Sequence, residues 1–440
     1  MRVQVGGRAQ TRSRVRLTSD LSSRHVRYSP IPRRASGPHG RPRLRRRPRG
    51  HGAPPPPPPA VARGHHFLSI DDDVFRKPID SKVAAAARRL PASPPPRPSS
   101  DPSHPSRPLN PPPLPQRAAV VRETGPSSVM KVENDYPVPK LAPGGVLVKN
   151  KYSGINFIDT YHRSGLYKRE LPFIGGQEGG GFVAAVTPEA ESQGVKVGDR
   201  VAYSSVFQTY AEYTAVPASK VVTVPEEVPL DVAVSCGVQG MTAHYLTHSA
   251  HAGLVKPGEW MLIHGTGSGT CQWAAQMAKL RGYKVIGTCS ESKQDIARAT
   301  GVDELIDYTS VDLVPKVMEI TGGEGVKAVI DGIGLATWET SIESLARRGI
   351  FVSFGNASGA VPAFPPLRLI NKSGFITRPK LNDYTVTREE LLSRANDIYG
   401  WIDKGDLKVV VDRTFPLEQA KEGHDYLEAG RSRGKVLYEI

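Results

Sequence analysis

The sequence contains little cysteine, no long apolar run and, over most of its length, no excess of charge of either sign. Three cysteines among 440 residues are too few for a disulfide framework, and no two of them form a C-x-x-C pair. Such a chain suits a reducing compartment. No stretch approaches the roughly 18 consecutive apolar residues of a membrane-spanning helix. These absences argue against a disulfide-rich secreted domain and against a helical membrane protein.

Positive charge is concentrated at the N-terminus. The formal net charge is +15, yet 24 of the 58 basic residues and only 6 of the 43 acidic residues precede residue 118. Proline is distributed in the same way, with 24 of its 40 copies in this segment, including a run of six at 54–59. Such a composition buries too little apolar surface to offset chain entropy. We therefore predict that residues 1–117 form a disordered leader.

Three interpretations of this leader remain open. An arginine-rich, acid-poor start is typical of a transit peptide, which would direct the protein to a mitochondrion or plastid rather than leave it in the cytoplasm. A basic tail would also bind nucleic acid or an anionic surface by neutralising phosphates, although no aromatic residues interleave with the arginines. The favoured interpretation is a leader without function, or a stretch added by the gene model, because Met130 and other internal methionines lie downstream.

From about residue 118 the pattern changes to short β-rich runs separated by glycine and proline, which predicts a small β-domain over 118–238. From about 239, strands alternate with helices, as in the βαβ units of a parallel sheet. The expected strands are 260–264, 283–288, 304–308, 326–331 and 349–354. The predicted fold class is therefore α/β, with a doubly wound, Rossmann-type domain over 239–372. Residues 373–440 are expected to complete the β-rich domain.

A glycine-rich turn at 264–271, HGTGSGTC, lies between the first of these strands and a predicted helix at 272–280. Glycines let the backbone approach a pyrophosphate, and a helix N-terminus supplies free N–H groups. The predicted dinucleotide contacts are Gly267, Ser268, Gly269 and Thr270. The G-x-G-x-x-G pattern is incomplete, and a tight turn without a ligand is the alternative.

The second strand ends in a way that favours NADPH over NADH. NAD-binding domains usually carry an acidic residue at this point for the ribose hydroxyls. Here the chain has Ser290 and, three residues later, Lys293. A hydroxyl and an ammonium group would hold a 2′-phosphate, which a carboxylate would repel. Glu291 lies between them and leaves NAD open.

Several motifs, taken in order, resemble the zinc-independent quinone oxidoreductases of the medium-chain dehydrogenase/reductase superfamily, the group that includes zeta-crystallin. They are GINFIDTYHRSGLY at 154–167, VQGMT at 238–242, the turn at 264–271, DGIG at 331–334, FGNASG at 354–359, TRP at 377–379 with TREE at 387–390, and GRSRGK at 430–435. The resemblance covers the folded part and none of the leader. It implies a GroES-like catalytic domain, a Rossmann domain, NADPH in the cleft between them, and a homodimer.

The resemblance also implies roles for particular residues. Those lining the nicotinamide and quinone cleft are Asn156, Tyr161 and Tyr167. Those near the nicotinamide are Gln239, Thr242, Phe354, Gly355 and Asn356. Those of the adenosine phosphate pocket are Lys293, Tyr308 and Arg433, beside Ser290. The two tyrosines would otherwise be packing aromatics, and Thr242 a helix cap.

The same resemblance implies that no metal is used. Zinc-dependent relatives carry a cysteine where this chain has Asn156 and a histidine where it has Gln177, and three scattered cysteines cannot build a structural zinc site. One departure from the family pattern concerns the cofactor, because Cys271 replaces the last glycine of its G-G-V-G turn. Weaker cofactor binding is one possible consequence.

The function that we predict is hydride transfer from NADPH to quinones or related α,β-unsaturated carbonyl compounds. Asn156 or a tyrosine hydroxyl would donate a hydrogen bond to the acceptor's carbonyl oxygen. An enoyl-thioester reductase of the same superfamily, with Tyr167 as proton donor, is the first alternative. A non-catalytic, crystallin-like protein that binds NADPH or RNA is the second, and Cys271 is the feature that supports it.

Overall fold

The computed structural model describes residues 115–440. The interpretations of the leader concern residues 1–114 and lie outside this part of the chain. The first strand, β1, spans Gln116–Val121 and so begins two residues before the predicted boundary. Across 115–440, the helices are too short or too polar to cross a lipid bilayer.

Within residues 115–440, two mainly antiparallel sheets make up the β-rich part, and the larger one includes two strands from the end of the chain that pair with each other in parallel. The strands are β2 (Met130–Tyr136), β3 (Gly145–Ile155), β4 (Phe173–Ile174), β5 (Glu178–Val186), β6 (Arg200–Ser204), β7 (Tyr213–Pro217), β8 (Val221–Thr223), β15 (Val411–Pro416) and β16 (Lys435–Glu439). The larger sheet has the order β15-β16-β3-β5-β6-β8, with β7 also paired to β3, and the smaller has the order β2-β1-β4. The C-terminal strand β16 thus pairs with the long central strand β3, and β15 forms the edge of the sheet beyond it.

The remaining strands form one parallel sheet. They are β9 (Trp260–Ile263), β10 (Lys284–Cys289), β11 (Glu304–Asp307), β12 (Val326–Asp331), β13 (Leu345–Ser353) and β14 (Phe375–Thr377). Their order, β11-β10-β9-β12-β13-β14, is the 3-2-1-4-5-6 order of a Rossmann fold. Leu262, Ile286 and Phe351 are fully buried because helices cover both faces. The predicted α/β class is therefore confirmed.

In the described part of the chain, ten α-helices surround these sheets. They are α1 (Phe157–Ser164), α2 (Pro188–Glu191), α3 (Leu230–Ser235), α4 (Met241–His248), α5 (Gly269–Leu280), α6 (Gln294–Ala299), α7 (Leu313–Ile320), α8 (Trp338–Glu343), α9 (Arg388–Asp403) and α10 (Ala420–Glu428). A five-residue π-helix, Cys236–Gly240, joins α3 to α4. Such π segments are rare and often occur at functional sites. Here it leads from the β-rich part into the helix that precedes the parallel sheet.

The domain boundaries remain predictions, but two features bear on them. Strand β14 pairs with β13 in the parallel sheet, although it lies after the predicted boundary at 372. The largest apolar cluster contains Ala202 and Val222 from the β-rich part together with Met261 and Leu391. The two parts therefore share one core. The homodimer implied by the resemblance also remains a prediction.

Candidate active site

Asn156 lies at the point where β3 ends and α1 begins. Its backbone N–H donates to Asp159 Oδ2 at 2.8 Å, a contact that fixes the first turn of the helix. The side chain is buried. Its Nδ2 donates to Glu178 Oε1 at 2.6 Å, and its Oδ1 accepts from Lys435 Nζ at 2.9 Å. Both ends of the Asn156 amide are therefore held by buried charged groups.

Glu178 and Lys435 form an ion pair in which neither side chain is exposed to solvent. The backbone N–H of Val238 donates to the second carboxylate oxygen of Glu178. Lys435 also donates to the carbonyl oxygen of Ile155 at 3.4 Å. Buried charges are tolerated when they are paired and hydrogen-bonded in this way. The sequence analysis did not identify this pair, and its only signal was a lysine at the start of an apolar strand.

Tyr161 and Tyr167 lie side by side, their ring centroids 5.3 Å apart and their planes nearly perpendicular. The hydroxyl of Tyr161 accepts from the backbone N–H of Asn356 at 3.2 Å. The side-chain amide of Asn356 is best oriented with its oxygen accepting from Tyr167 Oη and from Arg378 Nη2, each at 3.1 Å. Three predicted site residues thus meet at the loop that follows β13.

Arg378 was part of a quoted motif but was absent from the predicted site residues. Its Nη1 donates to the carbonyl oxygen of Ser353 at 2.8 Å, and its Nη2 lies 3.3 Å from Tyr167 Oη. The guanidinium therefore connects the end of β13 to the tyrosine pair. Burial raises the pKa of Tyr161, so its hydroxyl is protonated at neutral pH and can donate.

The glycine-rich turn brings β9 and α5 close to two other predicted residues. A Cβ at Gly267 would lie 2.6 Å from Lys293 Cβ, and a Cβ at Gly269 would lie 2.7 Å from Gln239 Nε2. Only glycine fits at either position without displacement of its neighbour. The Oε1 atom of Gln239 is buried and has no hydrogen-bond partner among the described residues. A glycine turn without side chains can accept the pyrophosphate of a dinucleotide, and the unpaired Gln239 Oε1 can accept a hydrogen bond from its nicotinamide carboxamide.

Cys271 packs away from this turn. It lies in the first turn of α5, is 6% exposed, and belongs to the largest apolar cluster. Burial raises the pKa of its thiol to about 12, so the thiol is neutral. The side chain is therefore an ordinary core residue, and impaired cofactor binding stays an untested prediction.

The predicted phosphate-pocket residues gather after the end of β10. Lys293 Nζ donates to the carbonyl oxygens of Gly430 and Ser432, at 2.9 and 2.7 Å. Arg433 donates to the carbonyl oxygen of Ser292 at 3.0 Å and to Asp295 at 2.6 Å. The side chains of Lys293 and Arg433 therefore both lie after the end of β10, where they donate to backbone carbonyl oxygens and to Asp295.

The remaining predicted residues lie at four places: after β10, after β11, in α4 and after β13. Ser290 Oγ is 3.2 Å from the Oγ of Ser292, whereas the side chain of Tyr308 is largely exposed. Thr242 is buried in the first turn of α4. A Cβ at Gly355 would clash with the carbonyl oxygen of Gly332, and the ring of Phe354 packs against Gly332. The loops after β12 and β13 are therefore in direct contact.

A buried hydrogen-bond chain, which the sequence analysis missed, underlies these loops. Asp331 Oδ1 accepts from the backbone N–H groups of Ile333 and Gly334, and its Oδ2 accepts from Ser341 Oγ at 2.8 Å. Ser341 Oγ in turn lies 3.1 Å from His264 Nε2. Burial lowers the pKa of His264, which favours the neutral ring. The chain links the glycine-rich turn to the loop after β12.

Within residues 115–440, no three histidine, cysteine, aspartate or glutamate side chains cluster closely enough to hold a metal ion. The two positions where zinc-dependent relatives place ligands hold amides, Asn156 and Gln177. Amide side chains are weak zinc ligands compared with thiolate and imidazole.

Comparison with known protein families identifies two matching segments. Residues 142–256 match the alcohol dehydrogenase GroES-like domain, and residues 300–437 match the zinc-binding dehydrogenase family. The first segment covers most of the antiparallel sheet, and the second covers part of the parallel sheet with the C-terminal strands.

Curated proteins also match this chain over almost their whole length. A probable quinone oxidoreductase of Schizosaccharomyces pombe is 39% identical over 318 residues, which are 72% of this chain and 95% of that protein. A 2-haloacrylate reductase of a Burkholderia species is 34% identical over 333 residues, 73% of this chain and 97% of that protein. Among solved structures, Escherichia coli quinone oxidoreductase complexed with NADPH superposes with a TM-score of 0.70 at 35% identity, covering 74% of this chain and all of that one.

Proposed function

The chain belongs to the quinone oxidoreductase family of the medium-chain dehydrogenase/reductase superfamily, and we propose that it reduces quinones or related α,β-unsaturated carbonyl compounds with NADPH, without a metal. The observation that carries the proposal is the meeting of Tyr161 and Tyr167 with Asn356 at the carboxyl end of the parallel sheet. Ligands of Rossmann folds bind at this edge.

NADPH, when bound, supplies the hydride. The residues that would hold its pyrophosphate are those of the bare turn at Gly267–Gly269, since α5 directs its free N–H groups there. Gln239 Oε1 would accept from its carboxamide. Lys293 and Arg433 would bind its 2′-phosphate, because both cations already face the strand end after β10. The NADPH complex of the E. coli relative supports this choice of cofactor.

Tyrosine hydroxyls, rather than the Asn156 amide, are the donors to the acceptor's carbonyl oxygen. Tyr161 Oη accepts a hydrogen bond from Asn356, so its own proton is available to donate. Donation to an oxygen that gains charge during hydride transfer stabilises the transition state more than the ground state. The Asn156 amide is held by Glu178 and Lys435 and serves to fix the loop into α1.

The test is NADPH oxidation by the full chain with 1,4-benzoquinone, an enone and a crotonyl thioester as separate acceptors. We expect turnover with the quinone or the enone, and a Tyr161→Phe variant with kcat reduced about tenfold or more, as expected for loss of one such donor. Tyr152→Phe, on β3 and outside the site, is the matched control and should retain wild-type activity.

Three results would contradict the proposal. Turnover of the thioester alone would establish the enoyl-thioester reductase. Tight NADPH binding without reduction of any acceptor would establish the non-catalytic protein. Unchanged activity in Tyr161→Phe would remove the tyrosine from the mechanism.

A further inference from the structure

A small cavity adjoins the tyrosine pair on the side of the β-rich part. It is bounded by Asp159 and His162 of α1, by Arg169, by Gln177 and by Phe207. Its empty space is about 170 Å³ when the open mouth is included, and its inner part has a volume of about 10 Å³. That inner volume accommodates a single oxygen atom. The remainder of any larger ligand must lie in the mouth.

Arg169 contributes a cation that forms no ion pair with the residues the structure describes. Its guanidinium lies 3.7 Å from the ring centre of Phe207 and 4.9 Å from that of Phe173. Across residues 115–440, no carboxylate oxygen lies within 4.0 Å of it, and the acidic group whose charge acts on it is Asp159, in the same cavity. Stacking on aromatic rings holds the guanidinium in one orientation and leaves its N–H groups free for a planar anion.

The other polar groups of the cavity are also unsatisfied. Gln177 Nε2, His162 Nδ1 and Asp159 Oδ1 are buried and have no hydrogen-bond partner among the described residues. Asp159 is 4% exposed, and its other oxygen already accepts from Tyr210 Oη and Asn156 N–H. Burial raises the pKa of Asp159 to about 7, so near neutral pH a large fraction of this carboxyl is protonated and can itself donate. The Gln177 amide, and Asp159 when its carboxyl is protonated, can thus donate to an acceptor atom of a ligand.

The cavity is connected to the predicted acceptor site through His162. The imidazole ring packs edge-on against Tyr167, with a centroid distance of 5.8 Å, and against Phe207, at 5.5 Å. Arg169 follows Tyr167 by two residues in the same loop. A ligand with one end beside Tyr167 can therefore place its other end near the guanidinium of Arg169.

We propose that Arg169, Gln177 and Asp159 form a carboxylate subsite, which selects acceptors that carry an anionic group. One carboxylate oxygen enters the cavity and accepts from Arg169 and Gln177, and the unsaturated carbonyl part extends toward the tyrosines. This inference rests on the proposed function and specifies its substrate class as acidic α,β-unsaturated carbonyl compounds rather than neutral quinones.

The first experiment compares trans-3-benzoylacrylate with its methyl ester, using the full chain at saturating NADPH. In both compounds the C=C bond is reduced by one hydride from NADPH and one proton from the protein or solvent, giving the saturated product and NADP⁺. We expect kcat/KM to favour the acid by about tenfold or more, the usual effect of charge-assisted hydrogen bonds. Arg169→Gln should abolish this preference while changing kcat/KM for the ester and for 1,4-benzoquinone by less than about threefold.

Two controls separate recognition from structure. Lys168→Gln removes the same charge from the neighbouring, exposed residue and should leave the preference intact. Arg169→Lys keeps the charge but not the planar fork, and should retain only part of the preference. If Arg169→Gln unfolds, Arg169→Lys decides the question alone. Equal kcat/KM for acid and ester in the wild type would overturn the proposal, as would equal losses for both in Arg169→Gln.

A binding experiment keeps the subsite testable if no acceptor is reduced. Calorimetric titration of the NADPH-loaded chain with benzoate and with benzamide requires no turnover. We expect benzoate to bind about tenfold more tightly than benzamide, and Arg169→Gln to remove the difference. Equal affinities would mean that the cavity holds only a water molecule and would overturn the subsite. A failure of the proposed function, by contrast, would appear as no NADPH oxidation with any acceptor.

Discussion

Replacing Lys435 by methionine tests how the centre of the site is held together. The change keeps most of the side-chain volume but removes the one cation that, among residues 115–440, lies within hydrogen-bond distance of Glu178. Neither side chain is exposed to solvent. Removing one partner of a buried ion pair typically costs about 3–5 kcal/mol, because the remaining charge is left uncompensated. The loss also frees the Oδ1 atom of Asn156, which accepts from Lys435 at 2.9 Å.

The magnitude depends on pH in a way that identifies its cause. The stranded carboxylate can avoid the penalty by taking up a proton, which costs an ordinary glutamate about 4 kcal/mol at pH 7 and about 1 kcal/mol at pH 5. The destabilisation of Lys435→Met should therefore approach about 4 kcal/mol at pH 7 and shrink toward about 1–2 kcal/mol at pH 5. Urea unfolding followed by tryptophan fluorescence at the two pH values measures the difference.

A matched control lies in the same sheet. Lys151 of β3 pairs with Glu439 of β16 at 2.5 Å, but both side chains are about half exposed. Lys151→Met should cost less than about 1 kcal/mol, as exposed ion pairs usually do. The double variant Glu178→Gln/Lys435→Met should recover at least half of the single variant's loss. A cost for Lys435→Met that is equal at pH 5 and pH 7, or no larger than that of Lys151→Met, would refute the reasoning.

Three further changes test other parts of the site. Asp159→Asn keeps the bonds accepted from Asn156 and Tyr210. Because burial raises the pKa of Asp159 from 3.8 to about 7, the folded state holds this proton more tightly than the unfolded state, and wild-type stability should fall by roughly 2–3 kcal/mol between pH 5 and pH 8. The variant should lack this fall in urea unfolding over the same range. Lys293→Ala should weaken NADPH binding about 10- to 100-fold in a fluorescence titration and leave NADH binding unchanged; equal losses for both would remove Lys293 from the phosphate pocket. Cys271→Gly should cost about 1–3 kcal/mol of stability and change the NADPH Kd by less than about threefold, whereas a tenfold tightening would show that the thiol impairs the turn.

The parts of the fold that depend on local patterns could be predicted from the sequence. The alternation of apolar strands and helices after residue 239 indicated a parallel sheet, and a glycine-rich turn does join β9 to α5, although the helix begins at Gly269, three residues before the predicted start at 272. Strand ends were less certain. The strand predicted at 349–354 forms part of β13, which begins four residues earlier because Leu345 already pairs with Val326 of β12. Segment ends are set by hydrogen bonds that a single sequence does not display.

Contacts between distant segments could not be predicted. Lys435 lies 257 residues after Glu178, and nothing in either local sequence indicates the other. The same holds for Arg378 and Tyr167, separated by 211 residues. Polar residues on apolar strands are normally placed on the solvent side, since burial of a charge is costly without a partner. Only the folded structure shows that the partner is present.

Asn156 shows why matching a residue type to a position does not by itself assign a role. The resemblance implied that Asn156 lines the nicotinamide and quinone cleft, yet its amide hydrogen bonds go to Glu178 and Lys435. A donor that already serves a buried carboxylate cannot be redirected to a substrate without leaving that charge less well compensated. We therefore expect a hydroxyl whose proton is not already donated, foremost that of Tyr161, to polarise the acceptor's carbonyl group. On this reasoning an Asn156→Ala variant should lose stability in proportion to its loss of activity, whereas Tyr161→Phe should lose activity alone.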